Sequence, residues 1–413
     1  MKIHKKLANY IKEVRPGIIT GAADNDPAGV STYSISGSQF GYSQNWIMLL
    51  SIPMLIAVQG MVARIGVITK EGLNEVIKNE FGIVAVYIIL LILLICNTFT
   101  IGADMLATSA SITMFFTNST VGYQYILIPL FIFLTYIIIF KSYDKIAKFM
   151  IIGSLVFVSY IFVAIIAGPN WLSVLKGTFI PDIGSLFSNK AYALVATGIL
   201  GTTISPYLLF WQQKEEVEEH RPLSFAKKER GFITYGFIFS QVVTLFIMTA
   251  AGATLYKHHI NILNAQYPAI ATAQVLKPLA GIFAGQLFAV GIISAGLIAI
   301  PVLSISSAYA VTELTKKHGF LSHRFKDAKL FYYIIILSLL AGFIFTIFKI
   351  QPISALFYSQ VLDGILTPII VILILIIANK KRVMGHLQNN LFDNFFGILS
   401  VIIMVTASIL IFL

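Results

Sequence analysis

The chain is short of charge. Asp, Glu, Lys and Arg make up only 11% of its 413 residues and 57% are hydrophobic, against roughly a quarter charged in soluble domains; mean hydropathy is +0.86. A water-soluble globule is excluded, and the sequence reads as an all-α integral membrane protein. Period-two alternation is missing as well, because the apolar runs are continuous, and this excludes a membrane β-barrel. A single cysteine, Cys96, excludes an intramolecular disulfide and lies in an apolar run with no functional assignment. There is no phosphate-binding glycine loop and no zinc-hydrolase signature, which argues against an ATP-driven pump or a membrane protease, so no enzyme activity is expected. No small-residue cleavage site follows the basic first segment, so no removable signal peptide is expected.

What is present is a series of apolar runs, about eleven at roughly 20 residues each. They fall near 16–40, 45–67, 83–116, 122–140, 147–168, 188–212, 231–256, 278–312, 331–349, 355–378 and 392–412, the first and sixth being interrupted. All of the 29 Lys and Arg except Lys176, Lys190, Lys257, Lys277 and Lys349 fall on one side of this arrangement. That asymmetry predicts a cytoplasmic N-terminus and, with eleven spans, an external C-terminus. Spread over short loops, the +11 net charge points to anionic membrane lipid and not to nucleic acid. Compact loops favour a bacterial inner membrane, and no obligate protein partner is expected.

Of 18 Asp and Glu, only Asp24, Asp26, Asp104 and Asp363 fall well inside spans. A carboxylate at a helix centre costs about 2.5–3.5 kcal/mol and needs a partner or a wet cavity. With almost no basic residue at matching depth, the four imply a cation site. Two spans are also broken, the first at "DNDPAG" (24–29), by Pro27 and Gly29, and the sixth at "GTTISPY" (201–207), by Pro206. Unwound backbone at bilayer depth is tolerated only where protein or a water-filled cavity satisfies it. Breaks five helices apart predict an inverted five-plus-five repeat with the substrate site between them near the midplane. The repeats are expected over 1–168 and 169–378, with one additional helix in 379–413. The plainer reading of Asp26-Pro27 is an N-cap followed by proline at the first helical position. His220, His258, His259, His318, His323 and His386 are expected in solvated loops, and "KEEVEEH" (214–220) as a solvated extension of the sixth helix.

Five stretches carry a family resemblance: "GIITGAADNDPAG" (17–29), "SGSQFGY" (36–42), "MVARIGVITKEGLNEV" (61–76), "LFAVGIISAGL" (287–297) and "SQVLDGILTPIIVILILIIANKKRVMG" (359–385). In this order and spacing they resemble the Nramp family of divalent-metal transporters over nearly the whole chain. The resemblance implies a LeuT-like fold with one further helix. It also implies secondary transport by alternating access, with a divalent metal ion as substrate and no cofactor. In that family the first-helix Asp-Pro-Gly-Asn supplies Asp and Asn ligands; here Asp26 keeps its place and Gly29 stands where the Asn is expected. The sixth-helix carbonyl and methionine positions are Thr202 and Ser205, and the tenth-helix glutamine is Gln360.

Such a site has only oxygen ligands, which suit Mg, Ca and Mn better than softer transition metals. Mg usually takes one or two protein carboxylates, and in this respect the chain is similar to Nramp-related magnesium transporters. Asp24 and Asp363 are extra to the pattern and are candidate cavity ligands, Asp363 sharing nearly one helix face with Gln360. The proton is the other candidate ion. Of the family's proton-network positions, Ile101, Tyr207 and Gln212 do not titrate near neutrality, and the ninth helix, "YYIIILSLLAGFIF", has no arginine. Asp104 remains the candidate proton carrier, and proton coupling is expected to be weak or absent. The alternative function is a cation-coupled symporter of a small organic solute, in a cavity opened by Ala28, Gly29, Thr202 and Ser205. A non-transporting receptor would need a larger soluble domain than the sequence holds.

Overall fold

The computed structural model describes residues 25–115, 124–140, 158–218, 229–264, 272–315, 319, 321, 323–348 and 350–413. Asp24 with the rest of 16–24 in the first span, residues 147–157 of the fifth span, His220 and His318 lie outside the described residues. Within them all regular structure is helical: α1 (Pro27–Phe40), α2 (Asn45–Thr69), α3 (Leu73–Phe81), α4 (Ile83–Thr113), α5 (Gln124–Phe140), α6 (Val158–Ile166), α7 (Trp171–Phe179), α8 (Ile183–Ser188), α9 (Lys190–Thr203), α10 (Pro206–Glu218), α11 (Glu229–Thr254), α12 (Ala284–Leu314), α13 (Lys329–Phe345), α14 (Pro352–Asn379) and α15 (Leu391–Leu410). Eight helical stretches among the described residues are long and apolar enough to cross a membrane. Helices are the form such runs must take, since hydrocarbon offers no partner to an unpaired amide. At 31 residues each, α4 and α12 are about 46 Å long, more than the hydrocarbon needs, so they tilt or project beyond it.

The described elements start where the prolines predict. α1 begins at Pro27, and the sixth span divides into α9 and α10 around Ile204 and Ser205. Short helices α3, α7 and α8 join the spans.

A close helix crossing at glycine brings the second broken region against α14. A Cβ on Gly201 of α9 would lie 2.0 Å from the Gln360 carbonyl oxygen and 2.4 Å from the Gly364 nitrogen, and one on Gly364 of α14 would lie 2.2 Å from the Thr197 carbonyl oxygen. Backbone therefore touches backbone, which is how helices without a solvent-driven force gain packing in a membrane. The same crossing sets the backbone of residues 360–364 against Thr197 and Gly201. α1 is built for burial of a different kind, with Ser31, Thr32, Ser34, Ser36 and Ser38 all inside the protein. Thr32 and Ser34 return their hydroxyls to the Ala28 and Val30 carbonyls, 2.8 Å each, so these two add no unsatisfied donor. With little bulk on any face, α1 packs against α4, α9, α11, α12 and α14.

One expectation fails at the end of the sixth span. Over residues 214–217 "KEEVEEH" is not a solvated extension, because Gln212, Gln213, Lys214, Glu215 and Glu216 are at most 4% exposed; Glu219 and His220 lie outside the described residues. α10 continues to Glu218 between α2 and α12, and its charges find partners there. Lys214 Nζ lies 3.4 Å from Glu313 Oε1, and Glu313 Oε2 accepts from the Asn74 amide at 3.0 Å. Gln213 Nε2 donates to the Glu71 carbonyl at 2.8 Å, Gln212 Nε2 to Glu216 at 2.7 Å, and the Tyr309 hydroxyl to Glu218 at 2.6 Å. The turn between α2 and α3 is thereby sewn to α10 and α12.

Candidate metal site at the two helix breaks

Asp26 is the N-cap of α1. Its backbone is extended (φ −70°, ψ 170°), and its Oδ1 accepts from the Gly29 amide. The capping reading thus holds for one oxygen. The other, Oδ2, is buried and has no hydrogen-bond partner among the described residues.

At the second break the Ser205 hydroxyl donates to the Gly201 and Thr202 carbonyls at 2.8 and 2.9 Å. It thereby occupies carbonyls that the break would otherwise leave unpaired. The resemblance pointed to the Thr202 carbonyl, but the structure also turns the Thr202 hydroxyl toward Asp26. A Cβ on Gly29 would lie 2.7 Å from Thr202 Oγ1 and 3.1 Å from Asp26 Oδ1. Thr202 Oγ1 has no partner among the described residues. Glycine at 29 is what admits this hydroxyl.

From α14, Gln360 gives Nε2 to Ser359 at 3.2 Å and leaves Oε1 unpartnered among the described residues. Asp363, one turn on, leaves Oδ1 unpartnered among the described residues. Asp104 has neither oxygen paired among the described residues, and the Thr100 and Thr108 hydroxyls on the same face of α4 are likewise unpaired. α12 closes this side: a Cβ on Gly296 would lie 2.0 Å from Thr108 Oγ1 and 3.6 Å from Pro27 Cγ.

Asp26, Asp104, Thr202, Ser205, Gln360 and Asp363 are no more than 1% exposed. Asp104 is within electrostatic reach of Asp26 and Asp363, and Asp363 within reach of Asp26. Among the described residues no Lys, Arg or His pairs with any of the three. Buried anions without a base are costly unless a cation answers them. No three His, Cys, Asp or Glu side chains stand at metal-ligand spacing among the described residues. Three such groups do not converge on one point, so amide, hydroxyl and carbonyl oxygens are the other candidate ligands beside the carboxylates.

Sequence reasoning missed Asn25. Its Nδ2 donates to Ser240 at 2.7 Å and its Oδ1 accepts from Thr244 at 3.1 Å, which pins the residue before Asp26 to α11. The only sign was an amide between two aspartates, which reads equally as a turn. His258 and His259 are exposed, as expected. Two cavities, about 510 and 390 Å³, lie around Leu255, His258 and Gln274 and around Met114 and Ala284, away from the carboxylates.

Residues 17–413 match the family model Nramp, described as natural resistance-associated macrophage protein-like. The divalent metal cation transporter MntH of Caldanaerobacter subterraneus is 27% identical, with 95% of this chain and 91% of the relative covered. MntH of Clostridium acetobutylicum is 25% identical, with 100% and 93% covered. The manganese transporter of Eremococcus coleocola superposes with a TM-score of 0.76 at 16% identity, covering 98% of this chain and 87% of that one. A nucleobase-cation-symport-1 family transporter superposes with a TM-score of 0.63 at 13% identity, covering 97% and 90%. These likenesses carry the LeuT-like fold expected from the sequence, and the match over nearly the full length decides the family: the chain is an integral membrane protein that belongs to the Nramp family.

Proposed function

We propose that this protein is a secondary transporter that moves divalent metal ions of the hard type, Mg and Mn, across a bacterial inner membrane by alternating access. The observation that carries the reading is three buried oxygens without partners among the described residues, Asp26 Oδ2 and Thr202 Oγ1 at the breaks and Gln360 Oε1 on α14, whose backbone packs against α9 at Gly201. Asp26 supplies the charge, and the other two supply neutral oxygen that fixes position. Such a set leaves room for retained water and suits ions that shed their hydration reluctantly. The repeats are 1–168 and 169–378, with 379–413 an added helix, and the N-terminus is cytoplasmic. Rocking one repeat against the other requires the Asn74–Glu313 contact to part on the cytoplasmic side.

Proton coupling is weak or absent. Asp104 stands on α4 without titratable neighbours at Ile101, Tyr207 or Gln212, so a relay in series is missing. No partner protein is needed for transport. An organic solute fits less well, because α1 and α9 approach so closely at Gly29 that even a methyl group would crowd Thr202. The test is uptake of Mg and Mn into proteoliposomes with a trapped pH dye. Uptake of both without matching acidification is expected. Stoichiometric acidification would overturn the uncoupled mechanism, and no uptake of either ion would overturn the transport reading itself.

A further inference from the structure

One side of the protein is poor in base, with five of the 29 Lys and Arg, yet two of those five, Lys257 and Lys277, line a single cavity. The cavity, about 510 Å³, lies beyond the ends of α6 and α11, and His258 and Gln274 also line it. Gln274 and Lys277 are shared with the second cavity, about 390 Å³, at the end of α4 and the start of α12, so the two adjoin. By sequence position this side carries one acid, Asp182, and its Oδ1 is occupied in capping α8 through the Ser185 amide at 3.0 Å. Among the described residues no carboxylate pairs with Lys257, His258 or Lys277. The bias that places Lys and Arg on the other side does not account for two lysines converging here. Like charges lining one hollow repel unless an anion answers them.

The wall that carries two of these groups is tied down. Tyr256–His258 form one 3-10 turn, the Ile260 amide donates to the Leu255 carbonyl at 3.0 Å, and Gln39 of α1 donates to Asn261 at 3.3 Å. His259 holds a left-handed backbone (φ 56°), which few side chains adopt. The rest of the lining is largely apolar, Leu255 and Ile260 included. Gly281 and Gly285 keep the adjoining cavity open, since a Cβ on either would meet nothing within 4 Å. Tyr256, Ile282 and Phe283, beside the lining residues in sequence, are exposed. Cations on an apolar wall, with aromatic rings at helix ends, suit an amphiphile at the membrane–water interface. We propose that this groove binds an anionic phospholipid by its phosphate group. Lys257 and Lys277 supply the charge, His258 and Gln274 supply hydrogen bonds, and the acyl chains lie toward Ile282 and Phe283. Basic pockets between spanning helices take lipid headgroups by the same chemistry. The site stands away from Asp26, so it does not rest on the transport reading above.

The experiment titrates the full-length protein in detergent with phosphatidylglycerol, or with phosphatidylcholine of the same chains, and counts retained lipid by native mass spectrometry. Wild type should retain phosphatidylglycerol in preference to phosphatidylcholine. In Lys257→Gln/Lys277→Gln one retained phosphatidylglycerol should be lost, its affinity falling by roughly 30-fold as two lysine contacts are removed. Lys176→Gln/Lys190→Gln removes the same charge from the same side but away from the cavity, and its lipid count should match wild type. All four lysines are exposed, so melting temperatures without lipid should agree and a folding defect would not mimic the loss. Equal retention of the two lipids, or equal counts in the two double variants, overturns the site. Displacement of that lipid by millimolar inorganic phosphate overturns the lipid assignment and makes the occupant a free anion.

Discussion

Replacing Asp26 by Asn and by Ala separates two tasks of one side chain. Oδ1 caps α1 through the Gly29 amide, while Oδ2 has no partner among the described residues and is assigned to the metal. Asn keeps an acceptor for the cap and removes the charge, whereas Ala removes both. Loss of an N-cap costs roughly 0.5–2 kcal/mol, so the Ala variant should unfold at lower temperature by about that margin. The Asn variant should be at least as stable as wild type, because it also relieves repulsion among Asp26, Asp104 and Asp363. Metal binding responds differently. Truncating one partner of a buried charge contact costs roughly 2–5 kcal/mol, which weakens binding by about 30-fold to several thousand-fold. Calorimetric titration with Mn and Mg should therefore show the two variants equally impaired, and thermal unfolding without metal should show them unlike. Wild-type affinity in Asp26→Asn would refute the assignment of Oδ2 to the metal. Equal stability of the two variants would refute the capping argument.

Gly201→Ala forces a Cβ to within 2.0 Å of the Gln360 carbonyl, and backbone cannot swing aside. Overpacking of this kind costs about 1–3 kcal/mol, so a lower melting temperature and weaker metal binding are expected, and an unchanged melting temperature would contradict the crossing. Lys214→Met strands the buried Glu313 carboxylate, at a cost of roughly 3–5 kcal/mol; adding Glu313→Gln, which still accepts from the Asn74 amide, should recover most of it. Additive losses in that double variant would show that the pair does not act as a unit. At the surface of the bundle, burial works to raise the Glu80 pKa, but Lys380 at 3.0 Å and Arg382 at 2.7 Å outweigh it and hold it below the ordinary value. A folded-state pKa below the unfolded one stabilises above the ordinary carboxylate range, and the gain is lost as pH falls through the lowered value. The stability gap between wild type and Glu80→Gln should be open near neutral pH and close in acid, and a pH-independent gap would refute the tie.

The breaks were legible because proline and buried carboxylate are local facts. Pro27 and Pro206 remove donors wherever they stand, and Asp26, Asp104 and Asp363 have no packing reason to lie in apolar runs. Partners were not legible. "KEEVEEH" reads as solvated because a sequence shows neighbours along the chain and not Glu313 or Tyr309, which reach α10 from α12. Asn74 reaches Glu313 over 239 residues for the same reason. Short helices such as α7 and α8 carry too few residues for a periodic signal to stand above the loops.

The orientation of the Thr202 hydroxyl shows why residue-by-residue transfer from a family stops short of a site. Taken singly, glycine for asparagine at 29 removes a ligand. The structure makes it half of an exchange: without a side chain at 29, Thr202 Oγ1 stands 2.7 Å from where a Cβ would be, and Asp26 Oδ1 stands 3.1 Å from it. Asparagine and the Thr202 hydroxyl cannot both occupy that space, so the neutral oxygen has moved from the first broken helix to the sixth. The Ser205 hydroxyl closes the same break by holding two carbonyls, a task that a thioether, which has no proton to give, cannot perform. The proposed hard-oxygen site therefore rests on a rebuilt pair of breaks, in which Gly29 admits the Thr202 hydroxyl and Ser205 holds two carbonyls in place.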